Sequence, residues 1–214
     1  MTVIRRFAES DHSALMELFA HAGEDSPSGD LWGHAESEAA IYLTPYIGLE
    51  PESLLLADLK GRLVGYLAGS AGGSQLPGET ERMERAIKQY RLMLRPRVLG
   101  FFLRALADTL WAKTHSIQTA GDFSDPRWPA HLHINVLPEA RGTGSAAGLM
   151  ERWLEHLCEQ DIPGCYLQTL VENTRAVRFF ERMGFSPYGP QLLVPGIRHE
   201  GKRLHQQTMV WNPS

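Results

Sequence analysis

The feature that most constrains the fold is a glycine-containing loop between a predicted strand and a predicted helix. The strand covers 132–137, and the helix covers about 144–160 with apolar residues at i, i+3, i+4 and i+7 spacing. A second strand, 164–171, and a second helix, about 174–183, follow. Two consecutive strands connected by a helix lie parallel in one sheet. The sequence therefore predicts a βαβα unit in this half of the chain.

Outside this unit, the sequence predicts antiparallel strands. A first strand covers 2–7, and a hairpin joins 53–58 to 63–68 around Lys60 and Gly61. The segments 191–194 and 206–211 form a closing antiparallel pair, and helices begin near Ser10 and at Ala35. The fold class is therefore α/β (α+β), with a mixed central sheet flanked by helices.

The segment of about 71–130 differs in character from its surroundings. It predicts two helices between 79 and 116, interrupted at Pro96. It is also locally basic within an acidic chain: Arg82, Arg85, Lys88, Arg91, Arg95, Arg97 and Arg104. Two interpretations stay open, a solvated helical face and a positive wall for an anionic acceptor or partner.

Composition limits the classes of protein to consider. A chain of 214 residues with 43% hydrophobic and 21% charged residues is typical of one globular domain, here 1–214. A net charge of -4 argues against nucleic acid. Cys158 and Cys165 have neither disulfide-framework nor metal spacing. With no apolar leader and no spanning run, we expect a cytoplasmic protein without membrane contact.

The glycine loop has the properties of an anion site. Gly142, Gly144, Ser145 and Ala146 stand at the start of the helix, where unpaired backbone N–H groups and the positive end of the helix dipole coincide. We expect a phosphate there. The spacing is neither that of a P-loop nor that of a dinucleotide fingerprint. A simple tight turn is the alternative.

A second motif makes the interpretation specific. Arg141-x-x-Gly144-x-Ala146 is followed by Asn173-x-x-Ala176-x-x-Phe179-Phe180-x-x-x-Gly184-Phe185. Together with the order of elements, these motifs resemble the GNAT superfamily of N-acetyltransferases. The resemblance implies the GNAT fold with about seven strands and makes 71–130 a helical insertion between the third and fourth strands.

The resemblance also implies a binding site for acetyl-CoA as co-substrate. In this family the pantetheine arm pairs with the fourth strand in the gap between the fourth and fifth strands, and the diphosphate binds the loop. The implied cofactor-binding residues are Ile134, Asn135, Val136, Arg141, Gly142, Thr143, Gly144, Ser145, Ala146, Ala147, Asn173, Ala176, Phe179 and Phe180.

Two customary catalytic residues of the family are absent. Phe180 stands where many members have a Tyr that protonates the thiolate, and Gln168 stands where many have a basic Glu. The replacement candidates are His133, Glu172 and Tyr188. His131, His133 and Asn135 alternate and so share one side of their strand, where they could equally pack under the insertion. Glu172 could merely favour a helix N-terminus, and Tyr188 could be a surface aromatic. A metal site is not expected, because His131-x-His133 lacks a third ligand.

The predicted function is acetyl-CoA-dependent N-acetylation. The acetyl group would pass directly, in a ternary complex, to a primary amine of a small molecule or a peptide. The resemblance also makes a homodimer a reasonable expectation. Two alternatives stay open: a catalytically weak or inactive acyl-CoA-binding or sensing module, and an enzyme that uses another acyl donor such as succinyl-CoA.

Overall fold

A single mixed sheet organises the structure, a computed structural model that describes residues 2–22, 32–72 and 76–213. Its seven strands in these residues are β1 (Thr2–Arg6), β2 (Leu54–Leu59), β3 (Arg62–Ser70), β4 (Ala130–Val136), β5 (Cys165–Leu170), β6 (Ser186–His199) and β7 (Lys202–Trp211). Their order in the sheet is β1-β2-β3-β4-β5-β7-β6. Neighbouring strands pair antiparallel except β4 and β5, which are parallel. The predicted mixed sheet is confirmed.

Helices cover both faces of this sheet. They are α1 (His12–Ala22), α2 (Ala35–Tyr42), α3 (Thr44–Leu49), α4 (Glu79–Gln89), α5 (Pro96–Thr114), α6 (Ser145–Glu159) and α7 (Thr174–Arg182). On one face Trp153 and Leu157 of α6 pack against β2 to β5, and Phe180 of α7 joins the same core. On the other face Leu15 of α1 and Tyr46 of α3 pack against β2 and β3. These two apolar cores hold the sheet between its helices.

The α6 helix lies very close to the sheet because small residues face it. A Cβ on Gly69 of β3 would come within 2.5 Å of Trp153, which is fully buried. A Cβ on Gly148 of α6 would lie 3.0 Å from Ile4 of β1. Glycine at these positions therefore fixes the depth of the helix that follows the predicted anion loop.

Most predicted elements are present, with three differences. The α3 helix, which the sequence did not predict, begins at Thr44 after the end of α2, because Pro45 is compatible with the first turn of a helix. The strand predicted over 132–137 begins at Ala130. The closing strands are longer than predicted, because β6 continues through bulges between Tyr188 and Leu192 and between Val194 and Arg198.

The two helices predicted around Pro96 are present as α4 and α5. Asp108 of α5 is buried and accepts a hydrogen bond from the Gly196 amide at 2.9 Å. Its Oδ1 also lies 2.5 Å from Arg198 Nη2 and 3.0 Å from Arg203 Nε, so α5 is tied to β6 and β7. That 71–130 is an insertion relative to the family stays a prediction, and residues 73–75 lie outside the described residues.

No helix in the described ranges is long and apolar enough to cross a membrane.

Candidate functional site: the gap between β4 and β5

The sheet opens between its two parallel strands. In the part of the chain that the structure describes, β4 pairs with β5 only at Ala130 with Cys165 and His131 with Tyr166. Both pairs lie at the N-terminal ends of the strands, so the strands separate toward their C-terminal ends. Ligands of open α/β sheets bind beyond the carboxyl ends of the strands. The N-termini of α6 and α7 follow these ends.

Alternate backbone groups of β4 face this gap. The Leu137 amide donates to the carbonyl of Val64 in β3. The Ala130 amide, in contrast, donates to the carbonyl of Gly164, the residue before β5. Because backbone groups alternate along a strand, the N–H and C=O of Ile134 and Val136 face β5, and those of Asn135 face β3. The structure therefore orients two of the three residues predicted to pair with pantetheine toward the gap. The Asn135 side chain instead donates to the Tyr66 hydroxyl at 2.7 Å.

The loop before α6 requires glycine at two positions. Gly142 and Gly144 have φ of 76° and 84°, the left-handed region that side chains rarely adopt. A Cβ at either position would meet open space. The glycines are thus needed for the conformation of the turn, which leaves the backbone exposed on the side where an anion would approach.

The first turn of α6 offers several amide donors. Its first helical hydrogen bond runs from the Gly148 amide to the Gly144 carbonyl, so the amides of Ser145, Ala146 and Ala147 precede the helical hydrogen-bonding pattern. The Thr143 amide, by contrast, donates to the Ala140 carbonyl at 3.3 Å. Its hydroxyl lies 2.7 Å from Ser145 Oγ, which braces the turn. The predicted anion site therefore comprises fewer free amides than the sequence suggested, because Thr143 N–H is used within the loop. Arg141 is exposed at the loop entry.

The α7 helix begins at the other side of the gap. Asn173 caps it, since Asn173 Oδ1 accepts the Ala176 amide at 3.2 Å. This bond leaves the Asn173 Nδ2 group as the donor that could reach a ligand. Phe180 is buried in the core with its ring centroid 6.2 Å from Phe185, and Ala176 and Phe179 are partly buried against the same core. The N-terminus of the helix, with Asn173, thus follows the open end of β5.

A group of polar side chains, the polar cluster, lies on the opposite face of the sheet from α6. Its members are Tyr42, Tyr46, Glu79, Arg82, His131, His133 and Tyr166. The Tyr46 hydroxyl lies 2.8 Å from His131 Nε2, and the Tyr46 and His133 rings are 5.7 Å apart. The Tyr166 ring lies 5.6 Å from that of His131. The predicted alternation of His131 and His133 onto one side is therefore present.

Both histidines are neutral at physiological pH. Burial, followed by the charge of Arg82, lowers the pKa of His131 to about 4. Burial, reinforced by His131 and Arg82, lowers the pKa of His133 to about 3. A base with so low a pKa removes a proton from an ammonium group inefficiently. The low pKa argues against His133 as the proton acceptor. His133 nevertheless lies on β4, beside the gap, where its neutral ring could contact a substrate.

Glu79 provides a different acid–base group in the same cluster. It accepts a hydrogen bond from the Tyr42 hydroxyl at 3.0 Å, and the Tyr42 ring lies 5.8 Å from that of His133. Burial raises the pKa of Glu79, against the opposing effects of Tyr42 and Arg82. No motif marked Glu79, Tyr42 or Tyr46 in the sequence, because they come from three separate helices that only the fold brings together.

The other two predicted catalytic residues have different surroundings. Glu172 accepts the His205 amide at 3.1 Å and lies 3.2 Å from His205 Nδ1, so it links the end of β5 to β7. The Tyr188 hydroxyl accepts Arg127 Nη2 at 2.7 Å, with the Trp128 ring 4.7 Å away. Gln168, at the position expected to hold a base, donates to the Gly121 carbonyl at 3.2 Å. Glu172 therefore interacts with His205, and Tyr188 with Arg127, Trp128 and Phe123, outside the polar cluster.

Within the described ranges, no group of three or more His, Cys, Asp or Glu side chains is arranged to hold a metal ion.

Comparison with known proteins gives a consistent result. The profile of the acetyltransferase (GNAT) family matches residues 14–185, which include both the glycine loop and the Asn173 helix. The mycothiol acetyltransferase of Streptomyces griseus subsp. griseus is 32% identical over 98 residues, covering 44% of this chain and 29% of that protein. The chain thus spans less than a third of the length of this curated relative.

Solved structures show the same fold. An agmatine N-acetyltransferase superimposes with a TM-score of 0.61 at 19% identity, covering 99% of both chains. The yncA structure from Salmonella typhimurium, which contains its cofactor acetyl-CoA, gives a TM-score of 0.58 at 15% identity and covers 99% of this chain and 93% of that one. The family match, the mixed sheet that opens between β4 and β5, and the glycine loop at its open end together establish that this chain belongs to the GNAT acetyltransferase family.

Proposed function

We propose that this protein transfers acetyl from acetyl-CoA directly to a primary amine of a small molecule or a peptide, within a ternary complex. The observation that carries the proposal is the separation of β4 from β5 after His131, with two helix N-termini at the open end. The pantetheine arm of CoA would pair with the Ile134 and Val136 backbone as an added strand. The diphosphate would bind the amides of Gly144, Ser145, Ala146 and Ala147.

The groups around the gap suit the chemistry of acyl transfer. The amine attacks the thioester carbonyl carbon, a C–N bond forms and the C–S bond breaks. The Val136 amide, which faces the gap, would donate to the carbonyl oxygen as negative charge develops there. The thiolate can leave without a dedicated acid, because thiol pKa values lie near about 8.5. The absence of a hydroxyl at Phe180 is therefore compatible with turnover.

The ammonium form of the acceptor must first lose a proton, since it has no lone pair. In our proposal Glu79 accepts this proton, directly or through water, and the neutral His133 and Tyr42 orient the acceptor. Glu79 replaces the base that is missing at Gln168. Burial favours this role because it brings the pKa of Glu79 closer to neutral pH.

The test is a two-stage measurement. Calorimetry with CoA examines the binding site, and release of free thiol from acetyl-CoA with a panel of primary amines examines transfer. We expect CoA binding and amine-dependent thiol release. Binding without release for any amine would support the alternative, an acyl-CoA-binding module. Faster release from succinyl-CoA than from acetyl-CoA would support another acyl donor.

For quaternary structure we propose a homodimer formed through α5. Leu103, Leu106 and Leu110 are 56–58% exposed and follow one another at spacings of three and four residues, as in helix-pairing seams. The neighbouring positions Ala107 and Thr109 are uncharged, and the exposed charges Arg104 and Lys113 stand beside Leu103 and beyond Leu110. The apolar, self-complementary centre of this stripe favours a second copy of the chain as its partner.

A further inference from the structure

A buried guanidinium without a carboxylate partner lies in the polar cluster. Arg82 is only 5% exposed, and its Nε has no hydrogen-bond partner. Its Nη1 donates to the Ile41 carbonyl at 2.7 Å, and the guanidinium carbon lies 5.4 Å from the centroid of the Tyr46 ring. Among the described residues no carboxylate forms an ion pair with Arg82, and Glu79 interacts with it only at longer range, through the charge that lowers the pKa of Glu79. Buried charges are normally paired, so this arrangement points to a ligand.

The surroundings of Arg82 locate that ligand relative to the reaction site. Burial raises the pKa of Tyr46 and lowers the pKa values of His131 and His133, and the charge of the same guanidinium acts to lower all three. These residues lie on the face of the sheet opposite α6. The diphosphate site proposed above lies at the N-terminus of α6, so Arg82 is not placed to bind the phosphates of CoA. The acceptor is the remaining reactant, and the face with the histidines is where it would approach the gap.

We propose that Arg82 binds a carboxylate of the acceptor, so that the acceptors are amino acids or similar amines that carry a carboxylate. The inference rests on the proposed function and adds the chemical class of the substrate. A guanidinium recognises a carboxylate through two parallel N–H donors, and the unpartnered Nε supplies one of them. Glu79 accepts a hydrogen bond from Tyr42, and Arg82 acts on it only through its charge. The cluster thus offers a negative group for the amine and a positive group for the carboxylate.

Arg82 differs from the other basic residues of its segment. Arg85, one turn further along α4, is exposed and pairs with Glu81. The basic composition of the segment alone therefore does not single out Arg82. The burial of its side chain distinguishes it from the exposed Arg85. Arg85 also provides a matched control, because Arg85→Gln removes the same charge from the same helix outside the cluster.

The experiment compares amines that differ only in a carboxylate. The carboxylated acceptors are β-alanine, γ-aminobutyrate and L-norleucine, and their counterparts without the carboxylate are ethylamine, propylamine and pentylamine. Thiol release gives kcat and KM for the wild type, Arg82→Gln, Arg82→Lys and Arg85→Gln. We expect the wild type to prefer at least one carboxylated amine by about 10- to 100-fold in kcat/KM, the value of a charged hydrogen bond.

The variants separate recognition from folding. Arg82→Gln should lower kcat/KM for the carboxylated amines more than for the neutral ones, mainly through KM, with the CoA affinity unchanged. Arg82→Lys should keep part of the preference for carboxylated amines, and Arg85→Gln should keep all of it. Equal kcat/KM for carboxylated and neutral amines in the wild type, which needs no variant, would overturn the inference while leaving the proposed function intact. So would an equal loss for both kinds of amine in a folded Arg82→Gln.

A protein without turnover still tests the inference. Calorimetry of the CoA-loaded wild type with γ-aminobutyrate, β-alanine and L-norleucine measures acceptor binding alone. Binding of a carboxylated amine but not of pentylamine supports the carboxylate site even where the proposed acetyl transfer fails. Absence of binding by all three carboxylated amines would contradict it.

Discussion

The Tyr46 hydroxyl lies 2.8 Å from Nε2 of His131, the last residue of β4 that pairs with β5. This contact joins α3 to the sheet at the point where the gap begins. It also places the polar cluster beside the edges of β4 and β5, between which acetyl-CoA is proposed to bind. The α3 helix, which packs on the face of the sheet opposite α6, therefore helps to position the side chains proposed to bind the acceptor amine.

The first prediction concerns the anion site at α6. Ala146→Glu should weaken CoA binding by about tenfold or more, because a carboxylate would stand among the amides proposed to bind the diphosphate. The control is Ala146→Gln, which has the same size without the charge. An acidic residue in the first turn favours the helix, so unfolding would not explain a loss. Calorimetry that finds equal affinities for the two variants would contradict the site.

The second prediction concerns proton transfer. Glu79→Gln should lower kcat about a hundredfold, because the amide cannot accept a proton. In the wild type, kcat should rise with pH through the pKa of Glu79, which burial raises above its ordinary value, and the variant should lose this limb. Glu81→Gln on the exposed side of α4 is the control. An unchanged pH profile in Glu79→Gln would assign the base elsewhere.

The third prediction concerns stability in acid. The folded state keeps His131 and His133 neutral, whereas the unfolded chain binds protons at the ordinary pKa of about 6.5. Stability should therefore be complete above about pH 6.5 and fall as the pH decreases toward about 4. Each histidine contributes a slope of about 1.4 kcal/mol per pH unit.

Urea unfolding at several pH values measures this slope. His133→Phe should reduce it between about pH 6.5 and 4 without abolishing it, because His131 remains and the pKa of His156 is also lowered by burial. An identical slope in the variant would show that His133 is protonated in the folded state.

The fourth prediction concerns the attachment of α5. Asp108→Asn should lower the free energy of unfolding by about 2 kcal/mol, since it removes the charge that accepts hydrogen bonds from the half-exposed Arg198 and Arg203. Asp125→Asn is a suitable control because Asp125 pairs with Arg127 near the surface. Thermal unfolding that ranks the two variants in the opposite order would disprove an anchoring role for Asp108.

The fifth prediction concerns self-association. Leu106→Glu should convert a dimer into a monomer in sedimentation equilibrium, because two carboxylates would meet in the proposed α5 contact. Val3→Glu is the control, since Val3 is an apolar residue with 56% exposure on the edge strand β1. Dissociation by Val3→Glu instead would place the contact at the sheet edge, and a monomeric wild type would exclude a dimer.

The sequence predicted the parts of this protein that local chemistry determines. The 132–137 strand, the glycine loop and the α6 stripe are consecutive in the chain, so their periodicity and turn residues are enough to predict them. The Asn173 cap and the break at Pro96 are equally local. The α3 helix was missed, because Pro45 indicates the end of the preceding helix but also fits the first turn of a new one.

The polar cluster could not be predicted in the same way. Tyr42, Glu79 and His133 come from three separate segments, and only the packing of α2 and α4 beside β4 brings them together. The burial that lowers the pKa of His133 and isolates Arg82 is likewise a property of the assembled fold. The alternation of His131 and His133 predicted that both side chains lie on one side of the strand. It could not predict that Tyr42 and Tyr46 pack beside them.

The two residue pairs that join β4 to β5 have a mechanical consequence. They are a narrow joint between an antiparallel block formed by β1 to β4 and another formed by β5, β7 and β6. The core beneath α6 also spans both blocks, but this joint has few hydrogen bonds compared with a full ladder. A thioester donor lying along β4 would stiffen it, so the cooperativity with which the two halves of the molecule unfold would depend on the substrate.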